Sequence, residues 1–385
     1  MDFAWSEQQR ALFDAIGRMA SAELNGDLIQ RDRDGMFDRA GWQRCGQMKL
    51  QGLPVPADYG GLGCDALTTV GALERLGYAC RDNGLIFSIN AHLWTVCMPL
   101  VAFGTEQQKR QYLPRLARGE LIGGNAMTEA NAGSDAYSLA TTARREGDSY
   151  VLNGTKTFVS NGPIADLVMT FATIDPSKGP SGICGFLVET WTPGLTVNEP
   201  VEKMGLHTSP TGRLIFNNCR VPADSRLGAE GAGPALFTHS MTWERGCILA
   251  SAVGSMRRLL ERCIAHAKRR KQFGRAIGAF QMLSSKIVDM KLRLETSRQI
   301  LYHGAWLRSQ GRTAVLEAAL AKLHISEAWV QSCLDAIQIH GSEGYLTQGE
   351  IERELRDALG SRLYSGTSEI QRTIIAAMLG LPSQG

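Results

Sequence analysis

Apolar positions in the first part of the chain recur at helical spacing. In "SEQQRALFDAIGRMASAEL", Leu12, Ile16 and Met19 fall on one face, and Ser6 stands ahead of them as a cap candidate. "TEQQKRQYLPRLARGE" repeats the arrangement with Thr105 as the cap. The glycines of "DYGGLG" at 58–63 mark a turn or loop. Residues 1–120 therefore predict a helical domain.

The pattern changes over 121–230. "SYVLNGTKTFVSNGP" predicts a strand, an Asn-Gly turn and a second strand. "ADLVMTFATI", "GICGFLVET", "GLTVNEPV" and "GRLIFNNCRV" follow, each bounded by Gly, Pro, Asn or Asp. Together they predict a compact antiparallel β-domain. Helical periodicity returns over 231–385, in long runs at 234–268, 278–310, 313–340 and 365–379. Amphipathic helices of that length pack as an antiparallel bundle. The order helical, β, helical does not alternate strand with helix, which disfavours a doubly wound sheet.

Composition narrows this picture mainly by exclusion. A chain of 385 residues, 44% apolar and 21% charged, suits a globular protein of two or three domains. A net charge of +3 is too near neutral for a dedicated nucleic-acid binder. No stretch reads as apolar for the ~20 residues of a membrane helix, and "MDFAWSEQQR" lacks the features of a signal peptide. The nine cysteines are scattered without a C-x-x-C pair, and the seven histidines include no H-E-x-x-H. Neither a disulfide framework nor a metal site is expected, and a reducing cytoplasm is the expected compartment.

Five segments offer chemistry, each beside a plainer reading. "AMTEANAGSD" at 126–135 combines small residues with hydroxyls and can approach a flat polar ring, or be an ordinary loop. In "KTFVSNG", Phe158 and Ser160 share a strand face, where they can wall a heterocycle or be a core ring beside a surface hydroxyl. "RRKQFGRAIGAFQ" at 269–281 clusters cations near a helix break at Gly274, a diphosphate grip or a solvated turn. "YSGTSEIQR" sets Gly366, Thr367 and Ser368 at a helix start, an anion site or a plain cap. Glu244 in "MTWERGCILASAVGS" lies against Met241 and Trp243, and desolvation there would raise its pKa toward that of a general base. The alternatives for Glu244 are an ion pair with Arg245 or an exposed position.

In combination and order, these motifs resemble the acyl-CoA dehydrogenase family. The resemblance covers essentially the whole chain through "MTEANAGSD", "GTKTFVSNG", "KMGLHTSPTGRLIFNNCRVP", "RKQFGRAIGAFQ", "QIHGSEGY" and "YSGTSEIQR". It implies an N-terminal helical domain, a middle β-barrel-like domain and a C-terminal four-helix bundle, mainly α overall. It also implies one FAD per subunit of a homotetramer.

By that resemblance Met127 and Thr128 touch the flavin edge, and Ser134 touches the acyl-thioester arm. Phe158 stands where the family usually has Trp, and Ser160 where it has Thr. Arg270, Gln272, Phe273 and Gln281 match residues that reach FAD across a subunit interface. Gln338, Ile339 and Gly341 match a second part of that contact, with Ser342 where Gly is common. Thr367 and Ser368 match the diphosphate-binding helix start.

One departure matters most. Ser365 occupies the position at which many members carry the catalytic Glu, and a serine hydroxyl is no such base unaided. A minority of the family supplies the base from the bundle helix. That pattern places it on Glu244, next to Arg245, and the spacing to Arg270 agrees. Arg245 and Ser365 then belong with the substrate. The implied reaction is α,β-dehydrogenation of an acyl thioester. Glu244 takes the α-proton, the β-hydride passes to the flavin, and the Ser365 N–H steadies the thioester carbonyl.

"SMTWERG" with "YSGTS" resembles the subgroup that oxidises prolyl or short acyl groups on carrier proteins, as in pyrrole biosynthesis. The alternatives are a short or branched-chain acyl-CoA dehydrogenase, a flavin oxidase or monooxygenase, and an inactive acyl-binding relic. An electron-transfer flavoprotein is the acceptor that the family implies.

Overall fold

Seven helices come first in the computed structural model, which describes residues 4–382: α1 (Glu7–Glu23), α2 (Leu28–Asp34), α3 (Arg39–Gln47), α4 (Ala66–Ala79), α5 (Asn83–His92), α6 (Met98–Phe103) and α7 (Glu106–Ala117). Ser6 and Gln9 form a reciprocal capping box at the start of α1, and Thr105 and Gln108 do the same for α7. These boxes satisfy N–H groups that the first helical turn leaves without a partner. Ile16 faces the core as its spacing requires, with Leu12 and Met19 packed beside it.

A π-turn, Leu93–Cys97, joins α5 to α6. The resulting run Asn83–Phe103 is long and apolar enough to cross a membrane, contrary to the sequence expectation. In the fold it is a mostly buried core helix. Leu85, Ile89 and Trp94 enter one core and Val96 and Leu100 another, so the run is buried on opposite sides.

The sheet has eight strands: β1 (Gly123–Ala126), β2 (Thr142–Glu146), β3 (Ser149–Ser160), β4 (Leu167–Thr173), β5 (Ile183–Glu189), β6 (Leu195–Val197), β7 (Thr211–Pro222) and β8 (Arg226–Leu227). The path runs β6-β7-β3-β2-β4-β5-β8, with β1 also paired to β4. Two expectations are corrected here. The sheet is mixed, because β1 runs parallel to β4 and β2 meets β4 in parallel at Thr142 and Thr173. It is also open, with β6 and β8 at its two ends, so no closed barrel forms. Strand β4 is buried along its whole length. Leu167, Met169 and Phe171 face the helices, and Val168 and Ala172 face a second core within the sheet region.

No turn forms at Asn153-Gly154. Strand β3 passes straight through, with a bulge opposite β7 between Leu152 and Gly154. Gly154 has φ 151°, and a Cβ there would lie 2.4 Å from Thr141 Oγ1, so the glycine serves close packing rather than reversal. The hairpin closes instead at the start of β3, where Gly147-Asp148 links the paired residues Glu146 and Ser149.

Helices return as α8 (Gly233–Cys247), α9 (Ala250–Arg269), α10 (Gln281–Ser309), α11 (Val315–His340), α12 (Ser342–Tyr345), α13 (Ile351–Gly360) and α14 (Ser368–Met378). The single helix expected over 234–268 is broken at Leu249, which has φ −90° and ψ 8°. Apolar residues continue on both sides of the break, so periodicity does not reveal it. The break frees α9 to pack tightly on α4, where a Cβ on Gly254 would lie 2.1 Å from the Glu74 carbonyl oxygen. The cationic segment after α9 is a small hairpin, Lys271–Gln272 against Arg275–Ala276, rather than a simple helix break. Phe273 and Gly274, both at positive φ, make its turn. Helices of the first and last thirds of the chain share one hydrophobic core, with Ile16, Leu73, Val253, Leu294 and Trp329 in a single cluster.

Candidate active site

Helix α8 is fixed before it presents any chemistry. The Ser240 hydroxyl donates to the Trp94 carbonyl at 3.0 Å, and Trp94 stacks on Trp243 with ring centroids 5.7 Å apart and planes 5° apart. The Arg308 guanidinium lies 3.6 Å from the Trp243 ring centroid. The π-turn delivers Trp94 to this stack, and such turns recur at functional sites.

The next residue of α8, Glu244, is 7% exposed. Its Oε1 accepts from the Ser365 hydroxyl at 2.6 Å, and its Oε2 is buried with no partner. Burial pushes this carboxyl up, against the pull of the Ser365 hydroxyl, Arg245 and Lys322. No Glu244–Arg245 ion pair forms. Arg245 Nε instead donates to the Ser365 carbonyl at 3.0 Å. Gln371 Nε2 donates to the same carbonyl at 3.2 Å and to that of Gly366 at 2.9 Å. These bonds hold Ser365 in a left-handed conformation, φ 58°, that a serine rarely adopts. The Ser365 N–H has no partner among the described residues and is free to serve a ligand.

A second group gathers where β1 leaves the sheet. Lys156, fully buried, donates to the Met127 carbonyl at 3.1 Å and pairs with Glu129 at 2.7 Å. Glu129 also accepts from the Thr141 hydroxyl and from the N–H groups of Ala140 and Thr141. Burial brings the Lys156 ammonium down to about 8, against the pull of Glu129. The Thr157 N–H donates to the Thr128 carbonyl at 2.8 Å, which ties Met127-Thr128 to Phe158 and Ser160. Phe158 has φ 54° and stands 71% exposed, and the Thr157 hydroxyl is buried without a partner. An unused ring beside an unused hydroxyl fits a flat polar heterocycle such as a flavin. Ser160 is half-buried, and Ser134 is exposed on the following loop.

The remaining candidates divide. Arg270, Gln272, Phe273 and Gln281 are all exposed on the hairpin and the first turn of α10. Gln338 and Gly341 are exposed at the end of α11, and the His266 and His340 rings, 4.3 Å apart, link the ends of α9 and α11. Ile339 is a core residue, which leaves its backbone alone to meet a ligand. Thr367 caps α14 by accepting from the Ile370 N–H. The Ser368 hydroxyl is committed to Glu327 at 2.7 Å.

Sequence reading missed Gln371, Lys322 and the Lys156–Glu129 pair. The last lies inside two segments already singled out, where a Lys and a Glu among small residues were the available signal. Among the described residues no group of three or more His, Cys, Asp or Glu could hold a metal ion.

Comparison with known proteins identifies the family of the chain. Residues 6–120, 124–219 and 231–380 match the N-terminal, middle and C-terminal domain models of acyl-CoA dehydrogenases. An L-prolyl-[peptidyl-carrier protein] dehydrogenase of Pseudomonas fluorescens is 43% identical over 99% of this chain and 100% of its own. A solved structure of the prolyl acyl carrier protein oxidase AnaB is 55% identical, with a TM-score of 0.97 over 98% of this chain and 100% of that one. A structure of PigA with FAD and proline is 42% identical, with a TM-score of 0.97 over 99% of this chain and 100% of that one.

Proposed function

This chain belongs to the acyl-CoA dehydrogenase family, and we propose that its substrate is a prolyl or similar short acyl thioester carried on a protein. It is an FAD-dependent dehydrogenase. The substrate class rests on the likeness to the prolyl-carrier-protein enzymes, and the observation that carries the catalytic part of the reading is the Glu244–Ser365 pair. The serine at the usual position of the base turns its hydroxyl to a buried carboxylate that has one free oxygen. An inactive relic has no use for so costly an arrangement.

Met127, Thr128, Phe158 and Ser160 would hold the flavin ring, and Thr367 and Ser368 would meet its diphosphate. Arg270, Gln272, Phe273, Gln281, Gln338, Ile339 and Gly341 would complete the grip from a neighbouring subunit. Bound FAD supplies the hydride acceptor. Glu244 Oε2 takes the α-proton of the thioester. The Ser365 N–H donates to the thioester carbonyl and stabilises the charge that develops there. Ser134 meets the thioester arm, and Arg245 keeps Ser365 in place.

The same reading divides the chain at 120 and 230 into helical, β and helical-bundle domains. It carries a homotetramer, supported by the exposed apolar side chains of Phe273 and Met282. It carries a reducing, cytoplasmic setting, supported by nine free cysteines.

Anaerobic bleaching of the bound flavin tests the substrate. Bleaching by prolyl-loaded carrier protein, with none by short or branched acyl-CoA esters, is the expected result. Bleaching by a CoA ester alone would make this an ordinary acyl-CoA dehydrogenase. The acceptor has two readings. The family implies an electron-transfer flavoprotein, whereas the description of AnaB as an oxidase favours oxygen. Stoichiometric hydrogen peroxide on aerobic turnover would select oxygen.

A further inference from the structure

We propose that Lys322 is a positioning residue for Glu244. Its buried ammonium on α11 is a counter-charge, beside Arg245, that helps keep the carboxylate in its proton-accepting form. The proposal rests on Glu244 being the base.

The argument begins with two polar atoms that lack partners. Lys322 is fully buried, and its Nζ has no hydrogen-bond partner. Glu244 Oε2 is likewise buried and unpartnered. An isolated charge in a dry interior is costly, and two opposite ones within electrostatic reach offset each other. Helices α8 and α11 pack together, and a Cβ on Gly246 would come within 3.6 Å of Ala318 Cβ. Lys322 lies one helical turn beyond Ala318, on the same face of α11. The two groups are not in direct contact, so the ammonium acts on Glu244 through its field.

The other charged groups around the pair are accounted for. Arg245, on α8, repels Lys322 and also favours the ionised form of Glu244, more strongly than Lys322 does, while its Nε is tied to the Ser365 carbonyl. Glu327, on α11, is occupied by Arg362 and Ser368. Glu369, in the first turn of α14, is exposed. Tyr364 packs beside Glu244 as a neutral phenol that burial pushes up. Glu244 is the strongest of the acidic influences that keep Lys322 charged, and burial brings the lysine down to about 8. Lys322 in turn favours the ionised form of Glu244. Without it, the buried carboxyl holds its own proton more tightly and cannot accept one from substrate at the same pH.

The test is the pH profile of anaerobic flavin reduction by the holoenzyme, using prolyl-loaded carrier protein. Lys322→Met and Lys322→Gln should keep the bound-FAD spectrum and move the acid limb up by about one pH unit. Reduction would then be about tenfold slower below the limb and would converge with the parent above it. Lys322→Arg should restore the parent limb. A loss that is equal at every pH, an unmoved limb, or failure of Lys322→Arg to rescue would overturn the proposal. Glu244→Gln, run alongside, separates the two ideas. If it is inactive while the lysine variants leave the limb unmoved, only this inference falls. If it reduces flavin normally, the base assignment falls and takes the inference with it.

Discussion

The Ser365 hydroxyl lies 2.6 Å from Glu244 Oε1, so a loop residue far along the chain orients the carboxylate on α8. The bond favours the ionised carboxylate. Ser365→Ala should therefore move the acid limb of flavin reduction upward, with a loss of about tenfold below it, as expected for one charge-assisted hydrogen bond. FAD content should not change. An unshifted profile would mean that the serine has no influence on the base.

The parent profile has a predictable sign. Burial raises the Glu244 carboxyl above its ordinary value, and only the ionised form accepts a proton. Flavin reduction should fall as pH drops through that raised value and level off above it. Rapid-mixing measurements at saturating substrate would show this. A rate that rises on acidification would exclude a carboxylate base.

Phe158 is exposed on the wall assigned to the flavin. Phe158→Ala should weaken FAD binding about tenfold, the value of one lost ring contact of about 1.4 kcal/mol. The thermal midpoint of the apoprotein should stay nearly constant, because little buried area is lost. Titration of apoprotein with FAD decides the point, and unchanged affinity would remove Phe158 from the site.

Lys156 on β3 and Glu129 on the Met127 loop are both buried and paired. Lys156→Met leaves Glu129 without its cation and should cost about 3–5 kcal/mol of stability. Lys156→Met combined with Glu129→Leu should recover much of that loss. Urea unfolding of both variants measures it, and equal stabilities would argue against a coupled pair.

Gly154 sits at positive φ against Thr141. Gly154→Ala should destabilise by more than about 1 kcal/mol, whereas the same change at a position of negative φ with room for a Cβ costs little or gains. A denaturation curve equal to the parent's would show that β3 can relax there.

The helical ends of the chain were legible because capping boxes and apolar spacing are local signals, as at Ser6 and Thr105. Gly154 misled because an Asn-Gly pair looks the same in a turn and in a bulge, and only Thr141, distant along the β2–β3 path, distinguishes them. The break at Leu249 was hidden for a similar reason. The apolar pattern runs across it, and the cause lies in how α9 meets α4. The membrane length of Asn83–Phe103 was overlooked because scattered Asn and His residues interrupt a run that the fold buries on all sides. Glu244 was legible as a candidate because an acid amid apolar residues stands out. That Arg245 turns to the Ser365 carbonyl instead of pairing with Glu244 depends on the left-handed Ser365, which no local pattern announces.

The shared core of the first and last helices sets the order in which this protein can be made. Arg298 closes on Glu74 across 224 positions, and Arg81 on Glu350 across 269. A ribosome therefore releases the whole sheet before the opening helices meet the surface that buries them. Until then α4 and α5 emerge with apolar faces uncovered, and contacts this far apart in sequence are slow to form. Nascent chains halted before α9 should aggregate or be held by chaperones, and supplying residues 231–385 in trans should give the stranded helices their missing wall.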